Sequence, residues 1–181
     1  WLVPEGKSTC TGQNPLRLRQ LKSLLGNALF LRLLSAWFVN GLANGIPAAL
    51  FFLYLEYGLG VAEDMRPRFI LVYFLAAIAA IPLWLRLSRN RGKHRTWCYA
   101  MILACAAFAV VPALPAGAET AFMLICILTG AALGADLALP PAIQADVADY
   151  DRWRFGTDRT GVQFALWGMA TKLALAAAVG L

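Results

Sequence analysis

The stretch Phe69-Ile-Leu-Val-Tyr-Phe-Leu-Ala-Ala-Ile-Ala-Ala-Ile-Pro-Leu-Trp-Leu85 contains no acidic or basic residue, and the segment Arg86–Arg95 that follows it is strongly basic. A helix needs about 20 mainly apolar residues to cross the hydrocarbon core of a bilayer. A soluble core would interrupt an apolar run of this length with polar residues every few positions. We therefore predict a transmembrane helix over Phe69–Leu87.

The rest of the chain has the same character. Hydrophobic residues make up 60% of the 181 residues and charged residues 14%, and the mean hydropathy is +0.63, whereas soluble domains carry about 25% charged residues. We therefore predict an all-α membrane protein with five transmembrane helices. The predicted spans are Ala28–Leu55, Phe69–Leu87, Thr96–Leu114, Thr120–Pro140 and Val162–Leu181.

The basic residues between the spans predict the orientation. The segment before the first span and the four loops contain 4, 2, 5, 0 and 3 Lys or Arg residues in order. Because cytoplasmic loops are enriched in Lys and Arg, the N-terminus is predicted to be cytoplasmic. The protein itself is expected in the cell (inner) membrane. Residues 1–27 are polar and basic, and we interpret them as a cytoplasmic linker or tail. Because the chain starts at Trp1 and ends at Leu181 inside an apolar run, we expect a piece of a longer protein.

Lys172 is a basic residue near the middle of the fifth predicted span. A charged group at the bilayer centre costs about 2.5–3.5 kcal/mol on insertion scales, so such groups usually face a water-filled cavity or a partner. We favour a cavity-facing cation that contacts the substrate or replaces a coupling ion. A structural salt bridge to another helix is the alternative.

Other polar residues also lie inside predicted spans. Asp136 is expected to carry a proton or pair with a cation such as Arg32, or else to be an interfacial acid that reaches headgroup water. Asn40 and Asn44 are four residues apart and share a helix face. Their amides are suited to sugar hydroxyls, with Trp37 on the same side for the ring; interhelical hydrogen bonds are the alternative, with Gly41 and Gly45 as a close-packing GxxxG motif.

The segment after the fourth predicted span contains acids and arginines in alternation, and it reads Ala145-Asp146-Val-Ala-Asp149-Tyr150-Asp151-Arg152-Trp-Arg154-Phe-Gly156. Pro140 and Pro141 before it are expected to end or kink the helix. Ion pairs between such residues could form and break in a cytoplasmic gate. A solvated loop without a role is the alternative.

This segment and the following span resemble the major facilitator branch of glycoside–pentoside–hexuronide:cation symporters. The residues that carry the resemblance are Asp146-x-x-Asp149-Tyr150, Arg154-x-Gly156 and Lys172, and the likeness covers about residues 15–181. One departure is Asp158 where the family pattern has arginine, with Arg159 one position later.

The resemblance implies a twelve-helix transporter, of which the five spans are helices seven to eleven. It implies cation-coupled symport of a glycoside or other small sugar by alternating access, with Lys172 lining the central cavity. For such a transporter we expect Asn40, Asn44, Trp167 and Asp136 to line the same cavity. It also implies a cytoplasmic gate that contains Asp146 and Asp149, and we expect Tyr150, Arg152 and Arg159 to belong to the same gate. The coupling cation, Na⁺ or H⁺, is expected mainly in an N-terminal half outside this chain, and no other cofactor is expected.

Two other classes of protein fit parts of the sequence. An intramembrane Mg²⁺-dependent prenyltransferase-like enzyme would use Asp146 and Asp149 as metal ligands, but the loop Arg86–Arg95 contains no second acidic motif. A non-transporting membrane assembly protein is the other alternative. With His94 as the only histidine, we expect no His-based metal site. Gly92-Lys93 lacks the upstream glycine of a phosphate-binding loop. We interpret the basic segment Arg86–Arg95 as a cytoplasmic turn, and we expect no nucleic-acid partner.

Overall fold

The computed structural model describes residues 26–156 and 158–180, and nearly all of the predicted linker lies outside them. Five long helices make up the described part, where no strand occurs. Each is long and apolar enough to cross a membrane, which confirms the predicted fold class. The helices are α1 (Ala28–Leu53), α2 (Arg66–Arg91), α3 (Lys93–Val110), α4 (Glu119–Phe155) and α5 (Thr160–Gly180).

Local sequence signals set several helix ends. The Asn27 side chain caps α1 by accepting hydrogen bonds from the backbone N–H groups of Leu29 and Phe30. A short π-helical segment, Tyr54–Gly58, continues α1 at its far end. Gly92 separates α2 from α3 with a φ of 84°, a conformation that side chains other than glycine rarely adopt.

Helix α4 is much longer than predicted, with 37 residues from Glu119 to Phe155. Pro140 and Pro141 were expected to end or kink the helix before a loop; they do not end it, and the expected loop after them is helical. Each proline removes one backbone hydrogen bond, but the turns beyond remain helical because their inner face is packed in the bundle, with Gln144, Ala148 and Asp151 buried. The acidic motif is therefore on a helix, and residues 156–159 alone join α4 to α5.

Two groups of helices form the bundle. Helices α2 and α3 pack against α4, whereas α1 packs mainly along α5 and has fewer contacts with α4. Both groups use glycines for close approach. A methyl group added at Gly41 would lie 2.9 Å from the Ala174 Cβ atom of α5. One added at Gly130 would overlap the backbone carbonyl of Tyr73 in α2. Gly41 and Gly130 thus both serve helix packing.

Candidate functional site

The side chain of Asp136 lies where α1, α3 and α4 meet. Asn40 and Asn44, one turn apart on α1, both donate hydrogen bonds from Nδ2 to Asp136 Oδ2, at 3.1 and 2.8 Å. Trp97 on α3 donates from Nε1 to Asp136 Oδ1 at 2.6 Å. One carboxylate therefore receives three hydrogen bonds from two helices, and the structure contains the interhelical bonds that one interpretation of Asn40 and Asn44 anticipated.

No cationic side chain of the described residues forms an ion pair with Asp136. The suggested pairing with Arg32 was wrong, because Arg32 lines a separate cavity with His94, Trp97 and Asp146. Burying a carboxylate is costly unless it is hydrogen-bonded and its charge is balanced. The three neutral N–H donors contact both of its oxygens, and no described residue places a cationic group beside them.

One small cavity adjoins this carboxylate, and a larger cavity lies next to the small one. The smaller one has a volume of about 60 Å³, and its polar lining residues are Asn40, Asn44, Tyr73, Thr129 and Asp136. The larger one has a volume of about 200 Å³, and aromatic side chains such as Phe51, Phe74 and Phe108 line much of it. Asn44, Tyr73 and Thr129 line both cavities, so the two cavities share one wall.

Lys172 is on the outer side of α5. It is exposed, and it lies two residues from both Ala170 and Ala174, which form the buried face of that helix. At 100° per residue, this spacing puts Lys172 on the opposite face. No hydrogen bond or ion pair joins it to any residue in the described part of the chain. The structure therefore does not bring Lys172 together with Asn40 and Asn44.

Trp167 faces α1. Its ring stacks on Trp37 with centroids 4.6 Å apart and an interplanar angle of 17°, and the Trp37 Nε1 atom donates to Thr171 Oγ1 at 2.8 Å. Trp167 is buried in the main hydrophobic core. Both tryptophans thus contribute to the contact between α1 and α5, and Trp37 is directed toward α5 and not toward Asp136.

Asp146, the first acid of the predicted gate, forms an ion pair at the end of the bundle where α2 joins α3. The Lys93 Nζ atom lies 2.6 Å from Asp146 Oδ2 and 2.8 Å from Oδ1, and 3.4 Å from the carbonyl oxygen of Ala142. Lys93 is the first residue of α3, directly after Gly92. Both charged side chains are largely exposed, at 40% and 60%, so the pair is accessible to water.

Arg159, the last residue of the predicted gate, forms a second ion pair at the same end, and this one is buried. Its Nε atom lies 3.1 Å from Asp151 Oδ2, and its Nη2 atom donates to Asp151 Oδ1 at 3.2 Å. The side chains of Arg159 and Asp151 are only 5% and 1% exposed. Asn27, before α1, donates from Nδ2 to Asp151 Oδ1 at 2.8 Å. This cluster joins the start of α1, the end of α4 and the start of α5.

The remaining predicted gate residues are on the outside of α4. Asp149, Tyr150 and Arg152 are exposed, and the Tyr150 hydroxyl accepts a hydrogen bond from Arg154 at 3.3 Å. The structure thus pairs Asp146 and Arg159 with Lys93 and Asp151, which the sequence analysis did not select. Asp151 could have been recognised because it continues the buried face of α4 through Gln144 and Ala148, provided that the helix was extended past the prolines.

Asp158, the residue that departs from the family pattern, lies between α4 and α5. Its Oδ1 atom accepts a hydrogen bond from the Thr160 backbone N–H at 3.1 Å. Hydrogen bonds from the Thr160 side chain and backbone hold the pKa of the fully exposed Asp158 carboxyl below its usual value. An acid at this position therefore stabilises the start of α5, while the arginine one residue later enters the buried cluster.

We predict that the Lys93–Asp146 pair contributes little to stability. Replacing Lys93 by methionine should lower the free energy of unfolding by no more than about 1 kcal/mol, because exposed ion pairs are screened by water and salt. Thermal unfolding of the purified protein in detergent at low and high salt measures this. A large loss of stability would show that the pair is not an exposed, breakable contact.

Comparison with known proteins identifies the family. The profile of the family described as MFS/sugar transport protein matches residues 5–181. No curated protein and no solved structure matches the chain. The match confirms the resemblance given by Asp146, Asp149, Tyr150 and Lys172, and the enzyme alternative is rejected because members of this family are transporters. The chain therefore belongs to the MFS/sugar transport protein family and is a multi-pass membrane protein.

Proposed function

We propose that the full-length protein is a secondary active transporter that couples symport of a sugar or related small solute to a cation gradient by alternating access. Family membership supports transport of a small solute across a membrane. In this proposal the protein is in the inner membrane, and the end of the bundle that contains Lys93, Asp151 and Arg159 is cytoplasmic. The basic residues of the segment Arg86–Arg95 support that orientation.

The observation that carries the proposal is the position of Lys172. It is in the middle of a helix that is apolar enough to span the membrane, on the face opposite to the packing face, with no ion pair among the described residues. A charge in such a place requires water or a partner outside this bundle. A central cavity between two halves of a transporter would provide both.

The two ion pairs at one end of the bundle support the gating part of the proposal. Lys93–Asp146 is exposed and Asp151–Arg159 is buried. We assign the buried pair Asp151–Arg159 a structural role, in which it holds the helices of this bundle together. We assign the exposed side chains Asp146, Asp149, Tyr150 and Arg152 to a cytoplasmic gate, in which they would exchange partners with the other half as the transporter opens and closes.

Replacing Lys172 by glutamine in the full-length transporter tests the proposal. We expect gradient-driven solute uptake into proteoliposomes to fall by about tenfold or more, because the substitution removes a charge from the transport cavity. Uptake is measured with an imposed Na⁺ gradient, an imposed H⁺ gradient and no gradient.

Arg89→Gln is the matched control, because Arg89 is an exposed cation in the last turn of α2, outside the proposed cavity and gate, and four basic residues of Arg86–Arg95 remain to set the orientation. Its uptake should equal that of the unmodified protein. Equal uptake by the Lys172→Gln variant would remove Lys172 from the mechanism.

A further inference from the structure

We propose that a groove between α1, α3 and α4, at the cytoplasmic end of the bundle, binds the head group of an anionic phospholipid, with Arg32 holding the phosphate. The groove has a volume of about 330 Å³, and Arg32, His94 and Tyr150 are among the residues that line it. We call it the Arg32 groove. This inference goes beyond the proposed function, because it concerns a lipid of the surrounding membrane and not the transported solute.

The first argument is the unpaired charge of Arg32. Arg32 is the fifth residue of α1, a helix that is apolar enough to span the membrane. Its guanidinium group forms no hydrogen bond or ion pair with any residue that the structure describes. At 1.5 Å per residue, Arg32 lies about 6 Å from the start of the helix, within reach of lipid head groups. A charge in this place requires water or a partner, and phosphate is the anion that the membrane supplies.

The second argument is charge complementarity. Asp146 is the one acidic residue among the described residues that line the Arg32 groove, and Lys93 already pairs with its carboxylate at 2.6 Å. The charge of Arg32 is therefore not balanced inside the groove. The neighbouring segment Arg86–Arg95 adds five basic residues and no acid. Basic pockets between transmembrane helices on the cytoplasmic side bind anionic lipid head groups.

The third argument is the order of polar and apolar side chains along the groove. On α3, His94 is nearer the cytoplasmic end than Trp97, and on α4, Tyr150 is nearer that end than Ile143. On α1, Ala36 lies one turn deeper than Arg32. Side chains that can donate hydrogen bonds to phosphate oxygens are thus near the mouth, and apolar side chains are deeper. A phospholipid has the same order, with a polar head group above its acyl chains.

The size and charge of the groove favour a lipid over a protein segment. Its lining residues on α4 run from Ile143 to Tyr150, a length of about 10 Å. This space accommodates a glycerophosphate head group and the first carbons of one acyl chain. Residues 1–25, which precede α1, contain four Lys or Arg residues and one acid. That segment therefore has the same sign of charge as Arg32 and is not complementary to it.

A head group in the Arg32 groove would connect the two groups of helices. Helix α1 packs mainly along α5, whereas α3 packs against α4. A phosphate that contacts Arg32 of α1 and His94 of α3 would link them. Because a ligand that binds only the folded state stabilises it, this lipid should raise the unfolding temperature of the protein.

Titration of the purified, delipidated full-length transporter with phosphatidylglycerol, and separately with phosphatidylcholine of the same chain length, tests the site. Native mass spectrometry counts the bound lipids. We expect the unmodified protein to bind one phosphatidylglycerol about tenfold more tightly than phosphatidylcholine, because a charge-assisted hydrogen bond adds to the attraction of the head group. Arg32→Gln should lose this preference, and phosphatidylglycerol should no longer raise its unfolding temperature.

Two variants serve as controls for the charge. Arg89→Gln removes one exposed cation from the same end of the bundle, outside the groove, and should keep the full preference for phosphatidylglycerol. Arg32→Lys keeps the positive charge and should bind phosphatidylglycerol more tightly than Arg32→Gln does. If Arg32→Gln prefers phosphatidylglycerol as strongly as the unmodified protein, the site is refuted.

A further substitution separates a lipid from free phosphate. Ala36→Trp fills the apolar end of the groove and should weaken phosphatidylglycerol binding by about tenfold. Ala49→Trp adds the same ring at an exposed position of α1 outside the groove and should bind as the unmodified protein does. Inorganic phosphate should not displace the lipid. If it does, and if Ala36→Trp binds with unchanged affinity, the site takes free phosphate and the lipid proposal is refuted.

These binding measurements need no solute and no gradient, so their result is independent of the proposed function. If the unmodified protein binds phosphatidylglycerol and phosphatidylcholine equally well, the groove belongs to a protein segment or a second copy of the chain, and the lipid site is refuted. If phosphatidylglycerol binds at Arg32 but the protein transports no solute under any gradient, the lipid site stands and the proposed function is refuted.

Discussion

Replacing Asp151 by alanine should lower the free energy of unfolding by about 3–5 kcal/mol, because removing one partner of a buried ion pair leaves the other charge buried and uncompensated. The Asp151 and Arg159 side chains are only 1% and 5% exposed. The same substitution also removes the acceptor of the Asn27 side chain. Unfolding of the purified protein in mixed detergent micelles, monitored by circular dichroism, measures the loss.

Two further variants isolate the cause. Asp149→Ala removes an exposed acid two residues away on the same helix and should change stability by less than about 0.5 kcal/mol. Asp151→Leu combined with Arg159→Met removes both charges and should recover much of the stability that Asp151→Ala loses. If the double variant is as unstable as Asp151→Ala, packing at this corner matters more than charge.

The five helices could be predicted because hydropathy and loop charge both depend on the membrane and not on details of packing. The end of α4 could not, because a Pro-Pro pair usually stops a helix. Whether it stops depends on what the next turns pack against. Here Ile143, Gln144 and Ala148 are buried, and that burial depends on neighbouring helices whose arrangement hydropathy does not specify.

The sequence singled out most residues of the candidate site, but it did not predict their contacts with one another. Asn40, Asn44 and Asp136 each stood out as polar residues within apolar spans. The hydrogen bonds from Asn40 and Asn44 to Asp136 require that α1 and α4 bring these residues to the same depth in the bundle. No local sequence pattern specifies that arrangement. Trp97 was missed because it lies in an apolar run, where a tryptophan is ordinary, although its N–H requires an acceptor when buried.

Replacing Gly130 by alanine should destabilise the protein by about 2 kcal/mol or more, since overpacking a tight contact forces the backbone to move. The new methyl group would overlap the Tyr73 carbonyl of α2, and carbon, oxygen and Cα atoms of that one residue all lie within contact range. Backbone atoms cannot rotate away as a flexible side chain can, so α2 and α4 must separate.

Gly168→Ala on α5 is the matched control, because a methyl group there meets no atom within 4 Å. It should stabilise the helix by up to about 1 kcal/mol, as alanine is favoured over glycine in helices. Equal unfolding free energies for the two glycine variants would contradict the close backbone contact of α2 with α4 at Gly130 and Tyr73.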